Sequence, residues 1–188
     1  MSYSFTPFPV LTTSRLILRR VRESDWPELL ALRGDKNVMH YIPKPLVTTK
    51  EEAIEHFNMI DSKIEENLGI NWAITRKGED KLLGVLGHYR LQPENFRSEI
   101  GYMLLPEAHG QGIVPEAVTA ILKYGFEHMQ LHSVEAVIDP ENAASEKVLQ
   151  KLGFVKEAHI LENEYFDGRF WDTVIYSMLQ RNFKPLYE

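Results

Sequence analysis

The sequence of 188 residues contains no cysteine. This absence excludes disulfide bonds, thiolate metal sites and a cysteine nucleophile, and it fits a reducing compartment. No stretch approaches the roughly 20 consecutive apolar residues that cross a bilayer. The first residues also lack the basic flank and the apolar run of a signal peptide. We therefore expect a cytoplasmic protein with no membrane partner.

Positive charge is also scarce. The chain has 21 Lys and Arg residues against 27 Asp and Glu residues, which gives a formal net charge of -6. Nucleic-acid binding needs clustered basic residues, so this balance argues against a nucleic-acid partner. The one dense basic run, residues 15–22, contains Ile17 and Leu18 and is interpreted as the solvated face of a strand. The histidines show no paired metal-ligand spacing, and we expect no metal site.

What is present fits one globular domain spanning residues 1–188, because 44% of the residues are hydrophobic and 26% are charged. Hydrophobic periodicity and turn residues predict its elements. Ser24 is interpreted as the N-cap of the first helix, Thr49 and Glu52 as a capping box and Pro115 as a first helical residue. The predicted order is a strand at 15–20, a helix at 24–33, a loop at 37–47, a helix at 49–67, strands at 71–76, 82–91 and 98–105, a helix at 115–129, a strand at 133–138, a helix at 142–152, and strands at 154–161 and 170–179.

This order predicts an α+β fold. Short turns make most neighbouring strands antiparallel, whereas the helix between residues 98–105 and 133–138 requires those two strands to be parallel. We expect a mixed, mostly antiparallel central sheet of about seven strands flanked by about four helices.

A glycine-rich turn joins the strand at 98–105 to the helix at 115–129, in the sequence His109-Gly110-Gln111-Gly112-Ile113-Val114. Two glycines let the backbone turn sharply, so that successive N–H groups can converge on one anion at a helix N-terminus. The turn is either a phosphate cradle or simply a tight connection. It is not a P-loop, because Ile113 and Val114 stand where Lys and Ser/Thr are needed. A Rossmann fingerprint would need a third glycine in place of Pro115.

In this turn the chain resembles the GNAT superfamily of N-acetyltransferases, whose motif is Q/R-x-x-G-x-G/A. His109 and Val114 depart from that motif, and these departures resemble the ribosomal-protein (RimJ/RimL-type) branch. A second segment, Asn142-Ala143-Ala144-Ser145 followed by Val148-Leu149-Gln150-Lys151-Leu152-Gly153-Phe154, is similar to the family's N-x-x-S-x-x-v-l-x-k-x-G-F pattern. The resemblance covers residues 11–180, including the opening Leu11-Thr12-Thr13-Ser14-Arg15-Leu16.

The resemblance implies an enzyme that moves the acetyl group of acetyl-CoA to an amine. It also implies that the parallel strands splay apart around the pantetheine arm. The residues implied to bind acetyl-CoA, mostly through backbone groups, are Met103, Leu104, His109, Gly110, Gln111, Gly112, Ile113, Val114 and Asn142. Ser145 is implied as the general acid, although it could equally be a second capping hydroxyl. For the general base, Glu99, His88 and water stay open.

The acceptor amine is expected to bind where the scaffold is irregular, at residues 37–47 and 163–170. A protein N-terminal α-amine is the first candidate for this acceptor, and a small-molecule amine is the second. A non-catalytic module that binds acetyl-CoA is the competing hypothesis. The sequence leaves open whether the protein is a monomer or a homodimer.

Overall fold

The computed structural model describes residues 3–187, which build an 8-stranded sheet in the order β1-β2-β3-β4-β5-β6-β8-β7. The strands are β1 (Leu11–Thr12), β2 (Leu16–Arg20), β3 (Ile70–Arg76), β4 (Gly84–Gln92), β5 (Arg97–Leu104), β6 (Ser133–Ile138), β7 (Val155–Phe166) and β8 (Arg169–Leu179). The helices are α1 (Trp26–Gly34), α2 (Lys50–Glu65), α3 (Ile113–Glu127) and α4 (Ala143–Lys151). No helix within residues 3–187 is long and apolar enough to cross a membrane.

The predicted α+β class and sheet are confirmed. Strands β1 to β5 pair antiparallel in chain order, β5 pairs parallel with β6, and β8 pairs antiparallel with both β6 and β7. The strand count exceeds the expected number because the short strand β1 pairs with β2. Strand β7 also runs to Phe166, beyond its predicted end at residue 161.

The parallel pair β5–β6 is short and then separates. Only Arg97, Ser98 and Glu99 of β5 have partners on β6, the last being Glu135. Among the described residues, no residue of β5 from position 100 onward pairs with β6. We call the gap between residues 100–104 of β5 and residues 136–138 of β6 the slot. It is the splay that the family resemblance implied.

Strand alternation gives the sheet two apolar faces. Trp72 and Leu86 point to the face covered by α3 and α4, where they join the larger core cluster. Ala73 and Val85, one position along in each strand, point to the opposite face, where they pack with α1 residues such as Leu32. The slot lies between strands and is therefore reachable from both faces.

Local sequence signals predict the start of α2 correctly, but they do not predict the start of α1. The Thr49–Glu52 capping box is confirmed: Thr49 Oγ1 accepts the Glu52 N–H at 3.2 Å, and Glu52 accepts the Thr49 N–H at 3.3 Å. The prediction of Ser24 as an N-cap is wrong. The carboxylate of Asp25 accepts the Arg22 N–H at 2.8 Å and closes a short 3-10 turn, so that α1 begins only at Trp26.

The basic run is not a solvated strand face, which corrects that interpretation. The side chain of Arg19 is only 8% exposed and forms a two-pronged ion pair with Asp25, at 2.8 and 2.9 Å. Its Nε also donates to Asp80 at 2.9 Å. Arg20 bridges to Asp61 on α2 at 2.6 Å. These arginines fasten β2 to neighbouring elements.

We expect Arg19→Met to lower the free energy of unfolding by about 3–5 kcal/mol, because it leaves the buried Asp25 carboxylate without its counter-charge. Urea denaturation measures the loss. The control is Arg22→Met, whose ion pair with Asp80 is exposed on both sides and should contribute at most about 1 kcal/mol. A similar small loss in both variants would contradict the structural role of Arg19.

Candidate active site

The turn between β5 and α3 has the backbone that the glycine spacing predicted. Gly110 has φ 72 and Gly112 has φ 71, in the left-handed region that only glycine adopts readily. Gly112 is the residue that precedes α3, which begins at Ile113. Pro115 is thus the third helical residue, not the first as expected. Its missing N–H costs no bond there, because the first N–H groups of a helix have no intrahelical acceptor.

The N–H groups from Gly110 to Val114 have no acceptor among the described residues. They precede or open α3, whose N-terminus carries partial positive charge. The glycine conformations, the run of free donors and the helix end together fit a diphosphate group. We call residues 110–114 the cradle.

His109, which the resemblance implied in acetyl-CoA binding, makes two hydrogen bonds within the protein. Its N–H donates to Pro106 O at 3.1 Å and closes the preceding turn, so its backbone donor is already occupied. Its ring Nε2 lies 2.9 Å from Leu104 O, and a carbonyl oxygen can only accept, so the ring donates. His109 therefore ties the cradle to the end of β5.

The end of β5 offers its backbone groups alternately to β4 and to the slot. A Cβ added at Gly84 of β4 would lie 2.3 Å from Met103 O, so the Met103 carbonyl faces β4. Because successive residues of a strand direct their N–H and C=O groups to opposite sides, Tyr102 and Leu104 face the slot. Of the two residues expected to contact the pantetheine arm through their backbone, only Leu104 therefore faces the slot. Tyr102 faces the slot as well.

Ser145 and Asn142 lie at the start of α4. The Asn142 side chain accepts the Ser145 N–H at 3.1 Å and thereby caps α4. Tyr102 OH donates to Ser145 O at 3.5 Å, and burial raises the pKa of Tyr102 to about 12. Ser145 is therefore linked to the strand that borders the slot.

A cavity of about 170 Å³ opens on the other side of the slot. It contains residues from both segments, 37–47 and 163–170, in which we expected the acceptor to bind. Its lining is formed by Tyr41, Ile42, Pro43, Lys44, Arg90, Glu99, Val137, Ile138, Asp139, Glu164, Trp171, Asp172 and Thr173. Four of these residues carry carboxylates and two carry cations. We call this the acceptor cavity.

Glu99 lies in the acceptor cavity, at the last paired position before the slot opens. Its side chain is 17% exposed and accepts a hydrogen bond from Arg90 Nη1 at 2.9 Å. Burial raises the pKa of this carboxyl, and the charge of Arg90 acts in the opposite direction. Glu99 is thus a partly desolvated carboxylate that can accept a proton from a bound amine.

The alternative of His88 as the base is wrong. His88 is fully buried beneath α3, where its Nε2 donates to Ile121 O and its Nδ1 accepts from the Ser98 hydroxyl, both at 2.8 Å. Burial lowers its pKa to about 4. Since Ser98 and Glu99 are adjacent in β5, their side chains point to opposite faces of the sheet. His88 therefore cannot reach an amine in the acceptor cavity.

Comparison with known proteins agrees with this geometry. The model of the acetyltransferase (GNAT) domain family matches residues 15–155. The chain belongs to the GNAT acetyltransferase family. As a member, it is an acetyl-CoA-dependent acetyltransferase.

Individual relatives of this acetyltransferase extend over nearly the whole chain. The uncharacterized N-acetyltransferase YoaA of Bacillus subtilis is 32% identical over 92% of this chain and 98% of its own length. The solved structure of RimL, a ribosomal L7/L12 α-N-protein acetyltransferase in complex with coenzyme A, has a TM-score of 0.82 at 23% identity and covers 91% of this chain and 98% of its own. That of spermidine N-acetyltransferase from Vibrio cholerae, with CoA and spermine, has a TM-score of 0.79 at 23% identity and covers 90% of this chain and 98% of its own.

Sequence reasoning missed Arg90, the residue of the acetyltransferase that pairs with Glu99. Strand β4 has a register shift between Tyr89 and Gln92, and Arg90 takes a left-handed φ of 44 there. This irregularity places its guanidinium beside Glu99 in the acceptor cavity. An arginine gives no sequence signal that a strand bulges at that position.

No group of three or more His, Asp or Glu side chains within residues 3–187 forms a metal-ligand set.

Proposed function

We propose that this acetyltransferase transfers the acetyl group of acetyl-CoA to a primary amine, with a protein N-terminal α-amine as the first candidate. The slot is the observation that carries this proposal. It separates Ser145 and the cradle, on the side of α3 and α4, from Glu99 in the acceptor cavity. Donor and acceptor can thus approach from opposite sides and meet between β5 and β6.

The donor is held mainly by backbone. Acetyl-CoA supplies a thioester whose carbonyl carbon is open to attack by an amine. The N–H groups of the cradle are available for its diphosphate, and the Leu104 N–H is turned to the slot. Because a strand N–H is fixed before the reaction begins, it can stabilise negative charge on the carbonyl oxygen without reorganisation.

Glu99 is proposed to accept the amine proton, directly or through one water. It touches the cavity in which the acceptor would lie, and Arg90 orients its carboxylate. An α-amine, with a pKa near 8, is about a tenth neutral at pH 7, whereas a lysine amine is neutral only in a few parts in ten thousand. Glu99, a carboxylate that is partly shielded from solvent, is therefore better suited to take the proton of an α-amine than that of a lysine amine.

Ser145 is proposed to give its hydroxyl proton to the departing thiolate. We expect Ser145→Ala to lower turnover about a hundredfold, because a positioned proton donor contributes at least that much. The affinity for CoA should stay nearly unchanged, because the Asn142 cap is made to the Ser145 backbone N–H, which alanine retains. Thiol release and calorimetric titration with CoA measure the two effects. An unchanged rate in a folded variant would remove Ser145 from the mechanism.

A small-molecule amine is the second candidate acceptor. The acceptor cavity carries Asp139, Glu164 and Asp172 besides Glu99, against the cations Lys44 and Arg90. An excess of carboxylates favours a cationic acceptor, including one with a second positive charge. The similarity in fold to a spermidine N-acetyltransferase is compatible with this alternative.

A panel of acceptors distinguishes these candidates. The protein is incubated with acetyl-CoA and, separately, with peptides bearing a free N-terminus, the same peptides with a blocked N-terminus and a lysine side chain, and a polyamine. Thiol release with the free N-terminus alone supports the first candidate, and release with the polyamine alone supports the second. Tight binding of acetyl-CoA without thiol release from any amine would favour the non-catalytic module.

A further inference from the structure

The opening segment of the chain contacts the donor site through one buried carboxylate. Glu116, in the first turn of α3, has no exposed surface. Its Oε1 accepts from Thr13 Oγ1 at 2.6 Å, from Ser14 Oγ at 3.1 Å and from Arg15 N at 3.0 Å. Its Oε2 accepts from Arg15 Nε at 2.7 Å. A buried carboxylate is thereby fully hydrogen-bonded to residues about a hundred positions earlier in the chain.

Besides binding this carboxylate, the Arg15 side chain contacts the cradle. Its Nη1 donates to Gln111 O at 3.0 Å, and its Nη2 donates to Gly112 O at 3.3 Å. The same guanidinium is ion-paired with Glu116 at 2.6 Å. One planar group thus binds a carboxylate on one side and two backbone carbonyls of the glycine turn on the other.

These two carbonyl contacts help to fix which way two cradle donors point, and at Gly112 O the Glu116 N–H, which donates at 3.4 Å, acts together with Arg15. A trans peptide is planar, and its C=O and N–H point in opposite directions. When Arg15 holds the Gln111 carbonyl, the N–H of Gly112 is turned away from Arg15. When it holds the Gly112 carbonyl, the N–H of Ile113 is turned away likewise. Arg15 lies behind the cradle, and the free donors face the opposite side.

We propose that Arg15 is a positioning residue of the donor site, which holds the Gly112 and Ile113 N–H groups ready for the CoA diphosphate. Glu116 keeps the guanidinium in place, and the guanidinium neutralises a carboxylate that would otherwise repel the anion. The inference rests on the proposed location of the CoA diphosphate in the cradle. It gives the Thr13-Ser14-Arg15 segment, singled out in the sequence, a role in donor binding.

The test measures the dissociation constant of CoA by titration calorimetry for three variants. Arg15→Lys retains a charge for Glu116 but cannot reach both carbonyls at once. Arg15→Met combined with Glu116→Gln removes the bridge without leaving a bare buried carboxylate, which protects the fold. The control is Arg22→Met, which removes an arginine paired with Asp80 away from the cradle. Thermal unfolding confirms that each variant is folded.

We expect both Arg15 variants to bind CoA about tenfold to a hundredfold more weakly, the range for losing hydrogen bonds from a charged group. Arg22→Met should bind like the unaltered protein. The KM for acetyl-CoA should rise while kcat at saturation stays nearly constant, because the reacting atoms are untouched. CoA affinity within twofold of the unaltered protein in the Arg15 variants, or an equal loss in Arg22→Met, would overturn the inference. Failure of the unaltered protein to bind CoA would instead contradict the proposed function itself.

Discussion

Replacing Gly110 with tryptophan is expected to weaken CoA binding at least about a hundredfold, while the protein stays folded. A β-carbon at Gly110 meets nothing within 4 Å, so the added ring has room in the apo protein. It would extend from the cradle, and a left-handed φ of 72 is strained for tryptophan, so the turn itself would shift. Losing two or more charge-assisted hydrogen bonds to a diphosphate accounts for the magnitude. Titration calorimetry with CoA measures it.

Gly78 provides a closely matched control for this substitution. It lies in the turn between β3 and β4, has φ 82, and likewise has nothing within 4 Å of an added β-carbon. Gly78→Trp should therefore bear a similar backbone strain but leave CoA affinity unchanged. If both tryptophan variants bound CoA normally, the donor would not use the cradle. If both lost CoA binding equally, the loss would reflect general destabilisation.

Replacing Glu99 with glutamine is expected to lower kcat/KM by about 10² to 10⁴ at neutral pH, because the positioned proton acceptor is lost. Glu99 acts only when deprotonated, so the rate of the unaltered protein should rise with pH as this carboxyl ionises. Burial raises its pKa, which places this rise above the usual range of a glutamate. In Glu99→Gln that rise should disappear. A rate and pH profile like those of the unaltered protein would show that Glu99 is not the base.

Neighbouring charges should move this pH dependence in opposite directions. The guanidinium of Arg90 lowers the pKa of Glu99, whereas the carboxylate of Glu135 raises it. Arg90→Gln should therefore shift the rise in kcat/KM to higher pH, and Glu135→Gln should shift it to lower pH. Glu135 also serves as the matched control for rate, because its side chain is 17% exposed like that of Glu99 but does not line the acceptor cavity. Equal losses of rate in Glu99→Gln and Glu135→Gln would contradict a specific role for Glu99.

Features that depend on a few neighbouring residues were predictable from sequence. The Thr49–Glu52 capping box, the Asn142 cap and the left-handed glycines of the cradle are all consequences of local backbone chemistry. The parallel pair β5–β6 was predictable for a different reason: one helix between two neighbouring strands carries the chain back along the sheet, which is the usual connection of a parallel pair. The family motifs added the splay and the donor, neither of which follows from periodicity.

Features that depend on distant partners were not predictable. Arg19 is buried and pairs both with Asp25 and with Asp80, which lies far along the chain. His88 carries a titratable ring on a strand, and no local signal shows that α3 covers it. Whether a polar side chain of a strand faces a helix or a cavity depends on the register, and the bulge at Arg90 alters that register without a sequence signal.

The central claim is that an acetyl group crosses the slot from a donor in the cradle to an amine beside Glu99. The most direct measurement follows thiol release from acetyl-CoA together with the mass of a peptide that has a free N-terminus. The account predicts one acetyl group added at the α-amine for each thiol released, and loss of both signals in Glu99→Gln and Gly110→Trp. Bound acetyl-CoA that releases no thiol with any peptide or small amine would contradict it.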